Sequence, residues 1–109
     1  MKVILVNGSP KQKGSTYTAL LEVEKKLVEN GIETEIFWVG DKPISGCRGC
    51  GACNKLGKCV LDDSVNVFVE KAKDADGFVF GTPVHYAAMS GHLKSVMYRA
   101  FYCGGRDTY

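Results

Sequence analysis

Two uninterrupted apolar runs most restrict what this chain can become: "KVILV" at residues 2–6 and "GFVF" at residues 77–80. Strands exposed on one face alternate apolar and polar residues, whereas strands covered on both faces do not. Both runs are therefore predicted as short buried strands, the second continuing as "GFVFGTPV" to a proline. A helical pattern follows each. Residues 15–30 carry Ala19, Leu20, Val23 and Leu27 at helical spacing, with Gly14 or Ser15 as the cap and Gly31 past the end. The stretch "MSGHLKSVMYRAFY" turns Leu93, Val96, Met97 and Ala100 to one side.

Between them, "IETEIFWV" at 32–39 alternates and is rich in β-branched and aromatic residues, which predicts another strand. The glycine-rich stretch 40–59 lacks periodicity and is predicted as a long functional loop. "DDSVNVFVEKAKDADG" is predicted as a helix capped by Asp63, with Val65, Phe68, Val69 and Ala72 on one face. The order β-α-β-loop-α-β-α implies parallel strands joined by right-handed crossovers, a doubly wound α/β sheet. There is no internal repeat and no linker, so one domain is expected.

Composition narrows the partners. A chain of 109 residues, 45% hydrophobic and 24% charged, matches an ordinary folded domain. Its formal charge is +2, and the lysines are scattered rather than striped, which disfavours nucleic acid. No apolar run approaches the roughly 18–20 residues of a membrane span, and the apolar start is shorter than the roughly 7–15 residues of a signal peptide. The expected location is the cytoplasm, where the five cysteines are thiols, metal or cluster ligands, or redox centres before they are disulfides.

In a doubly wound sheet, ligands bind beyond the carboxyl ends of the strands where the strand order reverses. "GSPKQKGST" at 8–16 lies there, between a strand and a helix N-terminus whose free N–H groups favour an anion. Gly8 and Gly14 let the backbone curl, Ser9, Ser15 and Thr16 offer hydroxyls, and Lys11 and Lys13 offset charge. The loop is neither a G-x-G-x-x-G dinucleotide fingerprint nor a triphosphate loop, since five residues separate its glycines and no lysine precedes Ser15. An ordinary glycine-containing turn remains the plain alternative. Across the crevice, "GTPVHYAAMSGHLKSVMYR" places Thr82, Pro83, Val84, His85 and Tyr86 after the third strand, suited to a planar ring whose phosphate tail reaches residues 9–16.

With these two motifs, the chain resembles the flavodoxin-like NAD(P)H-dependent FMN reductase family over nearly its whole length. The resemblance implies Ser9, Lys11, Ser15 and Thr16 near the FMN phosphate. It implies Thr82, Pro83, Val84, His85 and Tyr86 along the isoalloxazine, with Ser90 and Gly91 beside them. His85 stands where tyrosine is more usual after Pro-Val, and is read as a polar ring-edge contact or as solvent-facing.

Cys47, Cys50, Cys53 and Cys59 form a C-x2-C-x2-C-x5-C array, four thiols within thirteen residues. That spacing resembles compact ferredoxin patterns, with Gly49, Gly51 and Gly57 freeing amides to face cluster sulfurs. Zinc ribbons separate their two pairs by about 12–20 residues and fit less well. Within the family the array resembles the iron–sulfur flavoproteins, which implies a [4Fe–4S] cluster beside FMN. The alternative is a loop of free thiols at a subunit contact. Cys103 is taken as a bystander, His92 as an exposed helix residue, Trp38 as a core or subunit contact, and Tyr98 and Arg99 as surface or interface residues.

Two functions follow from the resemblance. One is an FMN-dependent oxidoreductase, an NAD(P)H-dependent FMN reductase passing electrons to a small-molecule or protein acceptor. It is expected as a homodimer or higher oligomer and needs no catalytic side chain. The other is an iron–sulfur flavoprotein that carries electrons between ferredoxin-like donors and FMN without nicotinamide. The resemblance also implies strands in the order 2-1-3-4-5, of which this sequence holds the 2-1-3 part. Residues 1–109 are accordingly expected to be the first three βα units of an FMN-binding domain, with strands 4 and 5 supplied by further sequence or another chain.

Overall fold

A computed structural model describes residues 1–51, 53–56, 59, 61 and 63–108, with the backbone alone at Asn54 and over 103–108. Strand β1 (Lys2–Asn7) lies at the centre of a parallel sheet, between β2 (Glu33–Trp38) and β3 (Gly77–Gly81), in the order β2-β1-β3. The register pairs Asn7 with Trp38 on one side and with Gly81 on the other. Those three residues mark the carboxyl edge of the sheet, from which the candidate site is built.

Helix α1 (Ser15–Glu29) covers one face of the sheet through the buried Leu20. It ends at Asn30 and Gly31, whose φ of +76° is the left-handed conformation that favours glycine past a helix end. Helices α3 (Ser64–Ala72) and α4 (Gly91–Thr108) pack on the other face. Ile4, Val6, Phe37, Phe68, Val69, Leu93 and Val96 join there in one core cluster. Phe37, Phe68 and Phe78 run across that layer with ring centroids 5.4 and 5.7 Å apart. The doubly wound α/β class expected from the alternation of elements is the one observed, with the β2-β1-β3 order that the flavodoxin-like resemblance implied.

The differences are local. Ala19 and Val23, expected inward, are exposed, and both line an open groove between α1 and β3. Strand β3 is half-buried along its length rather than enclosed, as befits a strand at the edge of the described sheet. The predicted loop holds one short helix, α2 (Cys53–Leu56), and a hairpin of β4 (Val84–His85) and β5 (Ala88–Met89) follows β3. Glu35 of β2 bridges Lys2 and Lys71, fastening α3 to the sheet, and these partners, Lys71 foremost, hold its carboxyl below the usual range. Among the described residues, no helix is long and apolar enough to cross a membrane.

Candidate functional site

At the carboxyl edge of the sheet, β1 leads into the loop 8–14 through a close backbone approach. Gly8 N–H donates to the Gly81 carbonyl at 2.8 Å, continuing the β1–β3 ladder by one step. A Cβ at Gly8 would stand 2.7 Å from Cβ of Leu93 and 3.1 Å from the Gly81 carbonyl oxygen, so only glycine fits without displacement. The buried Ser90 hydroxyl donates to the Gly8 carbonyl at 2.5 Å and accepts from Leu93 N–H, pinning α4 beneath the loop.

The loop is shaped by groups on both sides. Asn7, fully buried at the end of β1, accepts from Ser9 N–H at 3.0 Å and donates to the Gln12 carbonyl at 3.0 Å. Ser9 Oγ accepts from Lys11 N–H at 3.1 Å, and the Trp38 indole N–H donates to the Ser9 carbonyl at 2.8 Å. Gly14 caps α1 with no side-chain hydrogen bond, and the first turn holds no acidic residue. The free amides of that turn therefore face no competing carboxylate and suit an anion.

Ser9, Lys11, Ser15 and Thr16 line one cavity of about 260 Å³ together with Pro10, Gly14, Pro83 and His85. Both sequence motifs thus meet in a single concavity. Amides, hydroxyls and a lysine are groups that fit a phosphate monoester, and Pro83 and His85 line the same cavity. The remaining predicted ring residues do not line this cavity but adjoin it in the chain. Thr82 Oγ1 accepts from Ser90 N–H at 2.9 Å and shapes the entry to the hairpin. Val84 is 76% exposed and Tyr86 fully so, both on the outside of the hairpin, while Gly91 opens α4. Tyr86 and Ala87 occupy the turn at φ of +50° and +60°, where side chains are strained.

The cysteine array forms a second centre. Cys47, Cys50, Cys53 and Cys59 line one small cavity with Arg48, Gly51, Leu61, Arg99 and Tyr102. Cys47 and Cys50 are exposed, and Cys53 and Cys59 are half-buried. Gly49 and Gly51 take φ of +68° and +76°, and Gly49 N–H donates to Cys47 Sγ at 3.4 Å, an amide turned to a sulfur as the glycines predicted. Gly57 lies outside the described residues. Asn66 of α3 fixes the end of the array, accepting from Cys59 N–H at 3.1 Å and donating to its carbonyl at 3.0 Å.

This cavity measures about 20 Å³, room for little more than one water. Among the described residues, no group of three or more histidine, cysteine, aspartate or glutamate side chains converges as a single metal ion requires. A four-iron cluster differs, since each cysteine binds a separate iron. Four thiols around one cavity are the right donor set for it.

Arg99 is a correction. Expected at the surface or at an interface, it is 1% exposed and lies inside the chain's own packing. Its guanidinium grips Asp63 at 2.6 and 2.8 Å and donates to the carbonyls of Leu61 at 2.8 Å and Ser45 at 3.3 Å. Burial works against its charge, but the Asp63 hydrogen bonds and the neighbouring Cys59 outweigh that, and its pKa is raised. Among the described residues the buried Nε has no hydrogen-bond partner, and a bond left unmade in this way costs about 1–3 kcal/mol. Asn7, Trp38 and Arg99 were the residues missed as site builders. Only Arg99 left a sequence signal: it falls three positions after Val96, on the inward stripe of its helix. Asp63 caps α3 as predicted, accepting from Val65 N–H, and His92 shares a 2.9 Å hydrogen bond with the Lys42 carbonyl.

A parallel β2-β1-β3 sheet with an anion-suited loop after its central strand defines a flavodoxin-like nucleotide-binding class. More narrowly, the family model for NADPH-dependent FMN reductase matches residues 1–108, and the chain belongs to that family. It is 40% identical over 100 residues to an iron–sulfur flavoprotein of Methanocaldococcus jannaschii, covering 92% of this chain and 52% of that protein. An iron–sulfur flavoprotein of Archaeoglobus fulgidus is 38% identical over 97 residues, covering 89% of this chain and 49% of the relative. The chain therefore spans about half the length of the curated relatives it matches. Smu.1420 from Streptococcus mutans UA159 shares the fold, with a TM-score of 0.69 at 18% identity over 93% of this chain and 53% of that one.

Proposed function

We propose that this chain carries the FMN site of a flavoprotein oxidoreductase. Ser9, Lys11, Ser15 and Thr16 hold the phosphate, and Thr82, Pro83, Val84, His85 and Tyr86 border the ring, with Ser90 and Gly91 behind them. The observation that carries this reading is the single cavity joining Ser9, Lys11, Ser15 and Thr16 to Pro83 and His85. FMN held there would supply electron transfer between NAD(P)H and a small-molecule or redox-protein acceptor. The chain's own part is binding and orientation. The α1 amides and hydroxyls neutralise the phosphate, Asn7 and Trp38 keep the loop in shape, and the hairpin presents backbone to the ring. No side chain of the site needs to move a proton. In the assembled protein, expected in the cytoplasm, the exposed hairpin suits contact with a second copy in a homodimer or higher oligomer.

A second reading, an electron-carrying iron–sulfur flavoprotein, is favoured by the four cysteines around one cavity. Cys47, Cys50, Cys53 and Cys59 would each ligate one iron of a [4Fe–4S] cluster, which supplies one-electron transfer.

Anaerobic purification followed by flavin, iron and sulfide analysis tests both readings. Tightly bound FMN is expected, and Ser9→Ala with Thr16→Ala should weaken it, each lost hydrogen bond costing about 1–3 kcal/mol. Reconstituted protein that takes up no FMN rejects the first reading. Iron and sulfide near four per chain support the second, whereas four freely alkylated thiols in native anaerobic protein reject it. NADPH oxidation against reduction by a ferredoxin-type donor separates reductase from carrier.

A further inference from the structure

An arginine has five N–H donors, and four of those on Arg99 are spent on Asp63, Leu61 and Ser45. These bonds tie α4 to the N-terminus of α3 and to the segment before the cysteines, which is a sufficient structural role for the two terminal nitrogens. The fifth donor is not accounted for that way. Among the described residues Nε is buried and makes no hydrogen bond, Cys59 is the sulfur beside the guanidinium, and Arg99 lines the cavity that Cys47, Cys50, Cys53 and Cys59 surround. Tyr102, one helical turn further along α4, lines the same cavity. An orphan donor on a fixed cation, at the wall of a cavity ringed by sulfurs, calls for an electron-rich acceptor inside it.

We propose that Arg99 is a positioning residue of the cysteine centre: its guanidinium, fixed by Asp63, offers the free Nε–H to the sulfurs of an iron–sulfur cluster held by Cys47, Cys50, Cys53 and Cys59, and so raises the cluster's reduction potential. The proposal rests on the iron–sulfur reading above. Reduction adds one electron, supplied by dithionite in a titration, and makes or breaks no bond. The added negative charge is stabilised by a nearby cation and by a hydrogen bond to sulfur, and both move the potential upward. Asp63 offsets part of the cation, so the two residues act on the potential in opposite directions.

The test uses wild type, Arg99→Gln and Asp63→Asn, each prepared anaerobically, with bound FMN as the check of folding and a dithionite titration followed by absorbance and electron paramagnetic resonance. Arg99→Gln should lower the equilibrium constant for cluster reduction at least tenfold, about 59 mV for a one-electron couple. Asp63→Asn keeps a good cap for α3 and should shift the potential upward. A purely structural tie between α3 and α4 predicts no such opposed shifts. An Arg99→Gln protein holding FMN and iron that titrates like wild type overturns the proposal. If that variant keeps no FMN, Asp63→Asn decides alone, and an unchanged or lowered potential overturns it. Wild-type protein without iron and sulfide ends the iron–sulfur reading and this inference with it, whereas iron-loaded wild type with unshifted variants rejects the role of Arg99 only.

Discussion

The indole of Trp38 reaches from the end of β2 to the carbonyl of Ser9, so the loop after β1 is held by the neighbouring strand as well as by its own turns. Trp38→Phe keeps most of the ring and removes the donor. The lost bond costs about 0.5–1.5 kcal/mol, and FMN affinity should fall roughly two- to twelvefold. A fluorescence titration checks this, and an unchanged dissociation constant would show that the loop keeps its shape without the indole. The turn at residues 8–14 was legible in the sequence because its geometry is local, set by a strand, a glycine-containing loop and a helix start in immediate succession. Trp38 was not, since its partner lies 29 positions away. Arg99 and Asp63 are 36 positions apart, and a charged residue on an inward stripe has no assignable partner until the helices are packed.

At the scale of elements, strands and helices longer than a few residues were recoverable from hydrophobic period. The hairpin of β4 and β5 was not. Two-residue strands are too short to alternate, and such turns are normally marked by asparagine or glycine, which accept positive φ. Here Tyr86 and Ala87 sit at φ of +50° and +60°. The left-handed conformation costs a non-glycine residue about 1–2 kcal/mol, and strain of this sort is found where a ligand fixes the geometry. Ala87→Gly removes the strain at one position but adds freedom to the unfolded chain. The expected net gain is about 0.5–1 kcal/mol, read as a higher denaturation midpoint in urea at an unchanged slope. A lower midpoint would mean that the turn is not strained in the folded protein.

For the whole molecule, the dominant feature is the asymmetry of the sheet. β1 is paired on both sides and buried, β2 is braced by the Glu35 ion pairs, and β3 has a neighbour on one side only among the described strands. Beside β3, a groove of about 360 Å³ runs between it and α1, lined by Ala19, Leu20, Val23 and Val79. An apolar strand with one unpaired side is a template for another strand, and natural proteins cover such edges. Among the described strands, β3 offers that edge, and the groove beside it, to a further strand. In a preparation of this polypeptide alone, the strand at hand is a second copy. Light scattering on the size-exclusion peak should then give a mass above the 11.9 kDa of one chain, rising with concentration. Val79→Lys places a charge beside the groove and should shift the population towards monomer while leaving the far-ultraviolet circular dichroism in place. A concentration-independent peak at 11.9 kDa with full FMN binding would show instead that three strands and their helices close this molecule unaided.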